Sequence, residues 1–198
     1  MIARLGKEHV KEVARLHRAN LTGLLSRLGL PAIRAFYAGA VKTSLGVGFV
    51  YIEGNLVRGF VLGSIHPSSL KHEALQKNPF DTLAGMCLGI LRRPSTLIFL
   101  LKSFRGPDEG AYDRDAPELT YIAVSGEKRG VGIGAELVNA FTNEMRNSGI
   151  GAYELSVDDD NGAAISFYEG LGFVLSGRYR EFGMSHRRYR LDIGSRNS

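Results

Sequence analysis

Between Glu118 and Gly149 the chain reads as a strand (Glu-Leu-Thr-Tyr-Ile-Ala-Val), a basic glycine-rich loop (Ser-Gly-Glu-Lys-Arg-Gly-Val-Gly-Ile-Gly) and an amphipathic helix, and few folds accept that order. Glycine admits close backbone approach, and the positive end of the following helix offers unpaired N–H groups, so a loop of this kind suits a phosphate. It contains no Gly-x-x-x-x-Gly-Lys-Ser/Thr, which argues against a Walker-type nucleotide site. Gly130-Val131-Gly132-Ile133-Gly134-Ala135 does satisfy the dinucleotide pattern Gly-x-Gly-x-x-Ala, with Glu154 about 20 residues on. The context fails, however. Ser125 to Arg129 separate the first glycine from the strand, and too little chain follows for a parallel sheet with alternating helices.

The 198 residues fit a single domain, 1–198, with a substantial core. Val10, Val13, Ala14, His17 and Leu21 recur at helical spacing, which predicts a first helix over 8–21 with His17 as a packing residue on its apolar stripe. A second helix, Pro31 to Thr43, starts on a proline at a permitted first-turn position. Two helices thus precede an antiparallel hairpin over 47–65, turned at Gly54-Asn55. The N-terminal part, 1–66, then gives way to a helical insert over 67–117, with a loop by composition at Arg105 to Gly110. In the remaining part, 118–198, the loop helix carries Ile133, Leu137, Val138, Phe141 and Met145 on one face and ends near Gly149. A strand at 153–157, a short helix from Gly162 to Gly170, and a hairpin of 173–181 with 186–192 around Gly183 complete the order.

The insert's apolar pieces, of nine and five residues, are broken by Arg92-Arg93-Pro94, far short of the roughly 20 apolar residues of a spanning helix. A lid over a binding site, a homodimer surface, and a segment lying peripherally on lipid head groups remain as readings. Cys87 sits among apolar neighbours and reads as a buried, inert thiol. A lone cysteine makes no internal disulfide, and the first residues lack the apolar core of a signal peptide, so the expected location is cytoplasmic. The net charge of +5 suits an anionic partner, but without an aromatic-basic recognition motif nucleic acid is not expected.

Arg129-x-x-Gly132-x-Gly134, placed after a strand and opening a helix, resembles the GCN5-related N-acetyltransferase (GNAT) family. Asn161-Gly-Ala-Ala164-Ile-Ser-Phe167-Tyr168-Glu-Gly-Leu-Gly172-Phe173 resembles that family's other motif, and the two stand in the family's order and separation. The resemblance covers 118–182. It implies an α/β (α+β) fold, a mixed and mostly antiparallel sheet flanked by helices and splayed between its two central strands, 118–124 and 153–157. Acetyl-CoA would lie in that wedge. Backbone groups of Ile122, Ala123 and Val124 would meet its pantetheine amides. Arg129, Gly130, Val131, Gly132, Ile133, Gly134 and Ala135 would wrap the pyrophosphate, and Asn161, Ala164 and Phe167 would be further contacts. Lys128 is a candidate helper or a solvated lysine, and Asn161 can equally cap the short helix.

The resemblance also implies that Tyr168 protonates the departing thiolate, since a phenol is still protonated at neutral pH; the bland alternative is a core aromatic. Where some relatives carry a glutamate as general base, this chain has Ser156. Glu154, on the same strand face, and Glu118, on the neighbouring strand, are candidate bases, directly or through water. Asp158, Asp159 and Asp160 point in different directions and suggest no metal, only a solvated loop or attraction for an amine. The expected activity is acetyl-CoA-dependent transfer to a primary amine of a small molecule. A protein N-terminus or lysine is the alternative acceptor, and a noncatalytic acyl-CoA-binding module the alternative of another class.

Overall fold

A computed structural model describes residues 1–103, 113–181 and 183–194. The loop expected at Arg105 to Gly110 lies outside them. In chain order the elements are β1 (Ile2–Arg4), α1 (Val10–Asn20), α2 (Leu24–Leu28), α3 (Leu30–Ala40), β2 (Gly46–Glu53) and β3 (Leu56–Ser64). Then come α4 (Pro67–Gln76), α5 (Pro79–Arg92), α6 (Ser95–Ser103), β4 (Glu118–Val124), α7 (Ile133–Asn147), β5 (Ala152–Asp158), α8 (Gly162–Gly170), β6 (Val174–Glu181) and β7 (Met184–Asp192). Three helices and a strand, rather than two helices, precede the β2–β3 hairpin. α2 is only five residues long between Gly23 and Gly29, both at positive φ, too short for helical periodicity to register. β1 is three residues and gains its order by pairing with β2.

The seven strands form one sheet in the order β1-β2-β3-β4-β5-β7-β6, antiparallel at every junction but one. The exception is β4 with β5, parallel and paired only at Glu118↔Glu154, where the Glu154 N–H also donates to the Pro117 carbonyl at 2.8 Å. Beyond that point the two strands diverge and the sheet is split down its middle. A bulge on β4 opposite Leu62 and Gly63 adds twist there. Gly63 is required at that spot, because a Cβ would stand 2.2 Å from the Glu118 carbonyl oxygen and 2.6 Å from the Phe141 ring.

Strand alternation sends side chains of the sheet into two cores. One face packs Leu119, Tyr153, Leu155, Val157 and Tyr189 against the α7 stripe of Ile133, Leu137, Val138, Phe141 and Met145 and against Ile165 and Tyr168 of α8. α7 ends as its sequence predicts, with Gly149 at φ 75° and the Ile150 N–H bonded to the Met145 carbonyl. The other face packs Val50, Phe60, Leu62 and Ala123 against Val13, Ala14, Ile33, Phe36 and Tyr37 of α1 and α3. That second cover stops at β4. On the β5–β7–β6 half of the same face Ser156 and Arg190 are exposed.

α5 reverses the usual amphipathic rule. Its buried residues are Thr82 and two glycines, and the missing Cβ atoms of Gly85 and Gly89 let the helix approach Ala32 and Leu28 closely, while Phe80, Leu83 and Leu91 face outward. Its principal contacts are with α2 and α3. Cys87 lies on the outward face and is exposed, not buried as expected, because the small residues rather than the large ones meet the protein.

Candidate active site

The glycine-rich loop joins β4 to α7 across a short 3₁₀ turn, Gly126–Lys128, and two of its glycines take conformations closed to other residues: φ is 78° at Gly130 and 91° at Gly132. A Cβ at Gly126, Gly130 or Gly132 would meet nothing within 4 Å, so the space over the loop is open. The first intrahelical bond of α7 runs from the Glu136 N–H to the Gly132 carbonyl. The N–H groups of Ile133, Gly134 and Ala135 therefore emerge from the positive end of the helix without helical acceptors, which fits a phosphate. Gly134 also serves packing, since a Cβ there would stand 3.1 Å from Phe167, and its absence lets α8 close onto α7. Val131 is exposed above the loop. Arg129 donates to the Asn20 side chain at 2.7 Å, and Lys128 pairs with Glu53 at 2.8 Å. That Lys128 hydrogen bond is the main cause holding Glu53 below the usual carboxylate range.

Within β4 the hydrogen-bond phase separates the three residues expected at the pantetheine. The Ser125 N–H donates to Arg58 of the neighbouring strand end, and opposite pairs alternate between bonded and unbonded, so Ala123 spends its backbone groups on Phe60. Ile122 and Val124 point theirs the other way, into the split between β4 and β5.

On the α7 and α8 face Tyr168 lies edge-on to Phe167 and Phe173, with ring centroids 5.1 and 5.5 Å away. It is buried, and burial, reinforced by Tyr153, raises its pKa above the ordinary phenol value; it stays protonated throughout the neutral range. Asn161 accepts the Ala164 N–H at 3.1 Å and so caps α8, bringing these two residues together through the helix terminus.

The two candidate bases meet at the closed end of the split, joined by a residue that no motif in the sequence singles out. Arg188 of β7, only 3% exposed in its side chain, donates from Nη1 to Glu118 at 2.9 Å, from Nε to Glu154 at 2.7 Å, and from Nη1 to Ser156 Oγ at 2.9 Å. It clamps β4 to β5 where they last touch. The alternation His186-x-Arg188-x-Arg190 was the available signal, but only the register with β5 tells which side it faces. Next to Arg188 a groove of about 210 Å³ is lined by Glu154, Gly177, Arg178 and Tyr179, together with Asp113 and Ser176. His186 stacks on Tyr179 (4.9 Å between centroids, 21° between planes) and its Nδ1 lies 3.0 Å from Asp158. Asp159 pairs with Arg187, and no cluster of three or more metal-ligating side chains occurs among the described residues. No helix among the described residues is long and apolar enough to cross a membrane.

A sheet split between parallel central strands, with a glycine-rich helix entrance at its edge, is the architecture of an acyl-CoA acetyltransferase. The chain belongs to the acetyltransferase (GNAT) family, whose model matches residues 10–173. It is 26% identical over 183 residues to a mycothiol acetyltransferase of Paenarthrobacter aurescens, covering 88% of this chain and 53% of that protein. To the mycothiol acetyltransferase of Thermobispora bispora it is 35% identical over 100 residues, covering 50% of this chain and 33% of that one. The chain thus spans about half the length, or less, of these relatives. The ribosomal-protein-S18-alanine N-acetyltransferase of Escherichia coli shares the fold with a TM-score of 0.60 at 15% identity, over 100% of this chain and 97% of that one.

Proposed function

We propose that the protein transfers an acetyl group from acetyl-CoA directly to a primary amine of a small molecule. The observation that carries the reading is the split between β4 and β5, bounded at one end by the Arg188 clamp and at the other by the α7 N-terminus. The N–H groups at that terminus suit the pyrophosphate, and those of Ile122 and Val124 suit the pantetheine amides. Acetyl-CoA supplies an activated thioester. Donors on β4 can stabilise negative charge developing on its carbonyl oxygen, and Tyr168 holds the proton that the departing sulfur needs. A small amine is preferred over a protein terminus or lysine because the relatives at 26% and 35% identity are named for mycothiol acetylation.

A noncatalytic acyl-CoA-binding module is the reading to be beaten, and it draws support from the clamp, which ties up both Glu118 and Glu154. Release of free CoA across a panel of amino sugars, polyamines and peptide amines separates the two. Turnover with a small amine supports the transferase; binding of acetyl-CoA without turnover on any amine would sink it.

A further inference from the structure

An alkylamine reaches an enzyme at neutral pH as an ammonium ion with no lone pair for attack, so the acetyltransferase reading, on which this inference rests, needs a group that accepts its proton. Glu118 and Glu154 are engaged by the Arg188 guanidinium at the closed end of the split. His17 is fully buried beneath Tyr37 and Tyr121, on the far side of β4 from β5, and presents no surface to an acceptor. One imidazole stands on the open face of the sheet. His186 pairs across β5–β7 with Asp158, four positions beyond the last residue of β5 that touches β4. It shares its face with Arg188, two residues on, and therefore with Glu118, Glu154 and the groove.

We infer that His186, held by Asp158, is the general base of the reaction, and that the groove beside it seats the acceptor amine. The Asp158 carboxylate oxygen stands 3.0 Å from Nδ1, so its charge favours a proton on that nitrogen and leaves Nε2 to accept. Tyr179 stacks on the ring and forms a wall of the groove, so ring orientation and groove shape are set by one residue. Among the described residues, the charged and titratable groups facing His186 are Asp158 from β5, Tyr179 from β6, and Arg188 along its own strand; neighbouring Arg187 pairs with Asp159. The ammonium proton passes to His186 Nε2, directly or through one water. The freed nitrogen lone pair forms the C–N bond as the C–S bond breaks, and the sulfur takes the Tyr168 proton. The nitrogen then sheds its second proton through water to the Tyr168 phenolate, which leaves a neutral amide, a restored tyrosine and one proton on His186 for release to solvent. The two groups stand on opposite faces of the sheet, Tyr168 with α8 and His186 on the open side. The split is where both faces can reach one carbonyl carbon.

The test compares wild type, His186→Gln and Asp158→Asn, with His72→Gln, on α4, as the control. Initial rates are taken across pH with an alkylamine and with an arylamine, which is already unprotonated at neutral pH. His186→Gln should lower kcat for the alkylamine by about 10²–10³-fold, flatten the acidic limb of its pH profile, and spare the arylamine. Asp158→Asn should show a smaller loss of the same kind. The stabilisation by acetyl-CoA should persist in both variants, which keeps misfolding apart from lost chemistry. An active wild type with an unimpaired His186→Gln, or an equal loss for both amines, overturns the assignment alone. A wild type that turns over neither amine nor any member of the panel overturns the acetyltransferase reading and this assignment together.

Discussion

Two side chains show how burial changes what a residue can do. Tyr168 belongs both to the core and to the proposed chemistry, and its burial among Phe167, Phe173 and Tyr153 keeps the phenol protonated without removing it from the split sheet. Tyr168→Phe keeps the ring packing and removes only the proton, so turnover should fall by about 10²–10⁴-fold while acetyl-CoA affinity holds. Single-turnover rates beside equilibrium binding would show it, and unchanged turnover would exclude the tyrosine as the acid. His17 carries the opposite constraint. It bonds Tyr37 through Nδ1 at 2.8 Å, and burial lowers its pKa to about 4. Between pH 6.5 and about 4 the unfolded chain therefore binds a proton that the folded chain refuses, and stability falls as pH falls, by about 3 kcal/mol for this group at most. Urea denaturation of His17→Gln, whose amide can keep a Tyr37 bond, should show a shallower decline over that window. Parallel slopes for the two proteins would contradict the buried neutral imidazole.

Among the elements, the junction of β4 with β5 holds the most electrostatic cost in the smallest space. Arg188 pairs with two carboxylates at a point where both are screened from water, so Arg188→Met leaves two poorly solvated anions facing each other. The expected loss is about 3–5 kcal/mol, and converting Glu118 and Glu154 to glutamine in the same chain should restore most of it, because the penalty lies in the unpaired charge rather than in the lost bonds. A Met variant within about 1 kcal/mol of wild type in denaturant titrations would mean that water reaches the clamp. α5 teaches a related point. Its hydrophobic pattern was legible, but which side of it faced inward was decided by Gly85 and Gly89, since a close approach of two helices requires missing side chains and not large ones.

On the proposed reading, ligand binding is coupled to folding across the whole molecule, since the acetyl-CoA site would be assembled from β4, the loop, α7, α8 and the parting of β5. Acetyl-CoA at 100 times its dissociation constant should stabilise the fold by about 2.7 kcal/mol, visible as a thermal shift. No shift at saturation would count against the site.

Local pattern was enough to read β4, the glycine loop, α7 and α8 from the chain alone. Their signals are short-range: β-branched runs, glycines needing positive φ, an apolar repeat of helical period, and the Asn161 cap. β1 and α2 escaped because elements of three and five residues carry too little pattern and exist through their neighbours. The roles of Glu118, Glu154, Arg188 and His186 were beyond any local rule. They come from three strands as far apart in sequence as 118 and 188, and only register, which pairs Ser156 with Arg188 and Asp158 with His186, decides which charges meet and which face they share. Sequence by itself settled what the longer segments become, because their secondary structure answers to neighbours along the chain. Tertiary structure alone decided where the charges go, because a strand's two faces are equivalent until a partner strand and a packed helix make one of them the inside.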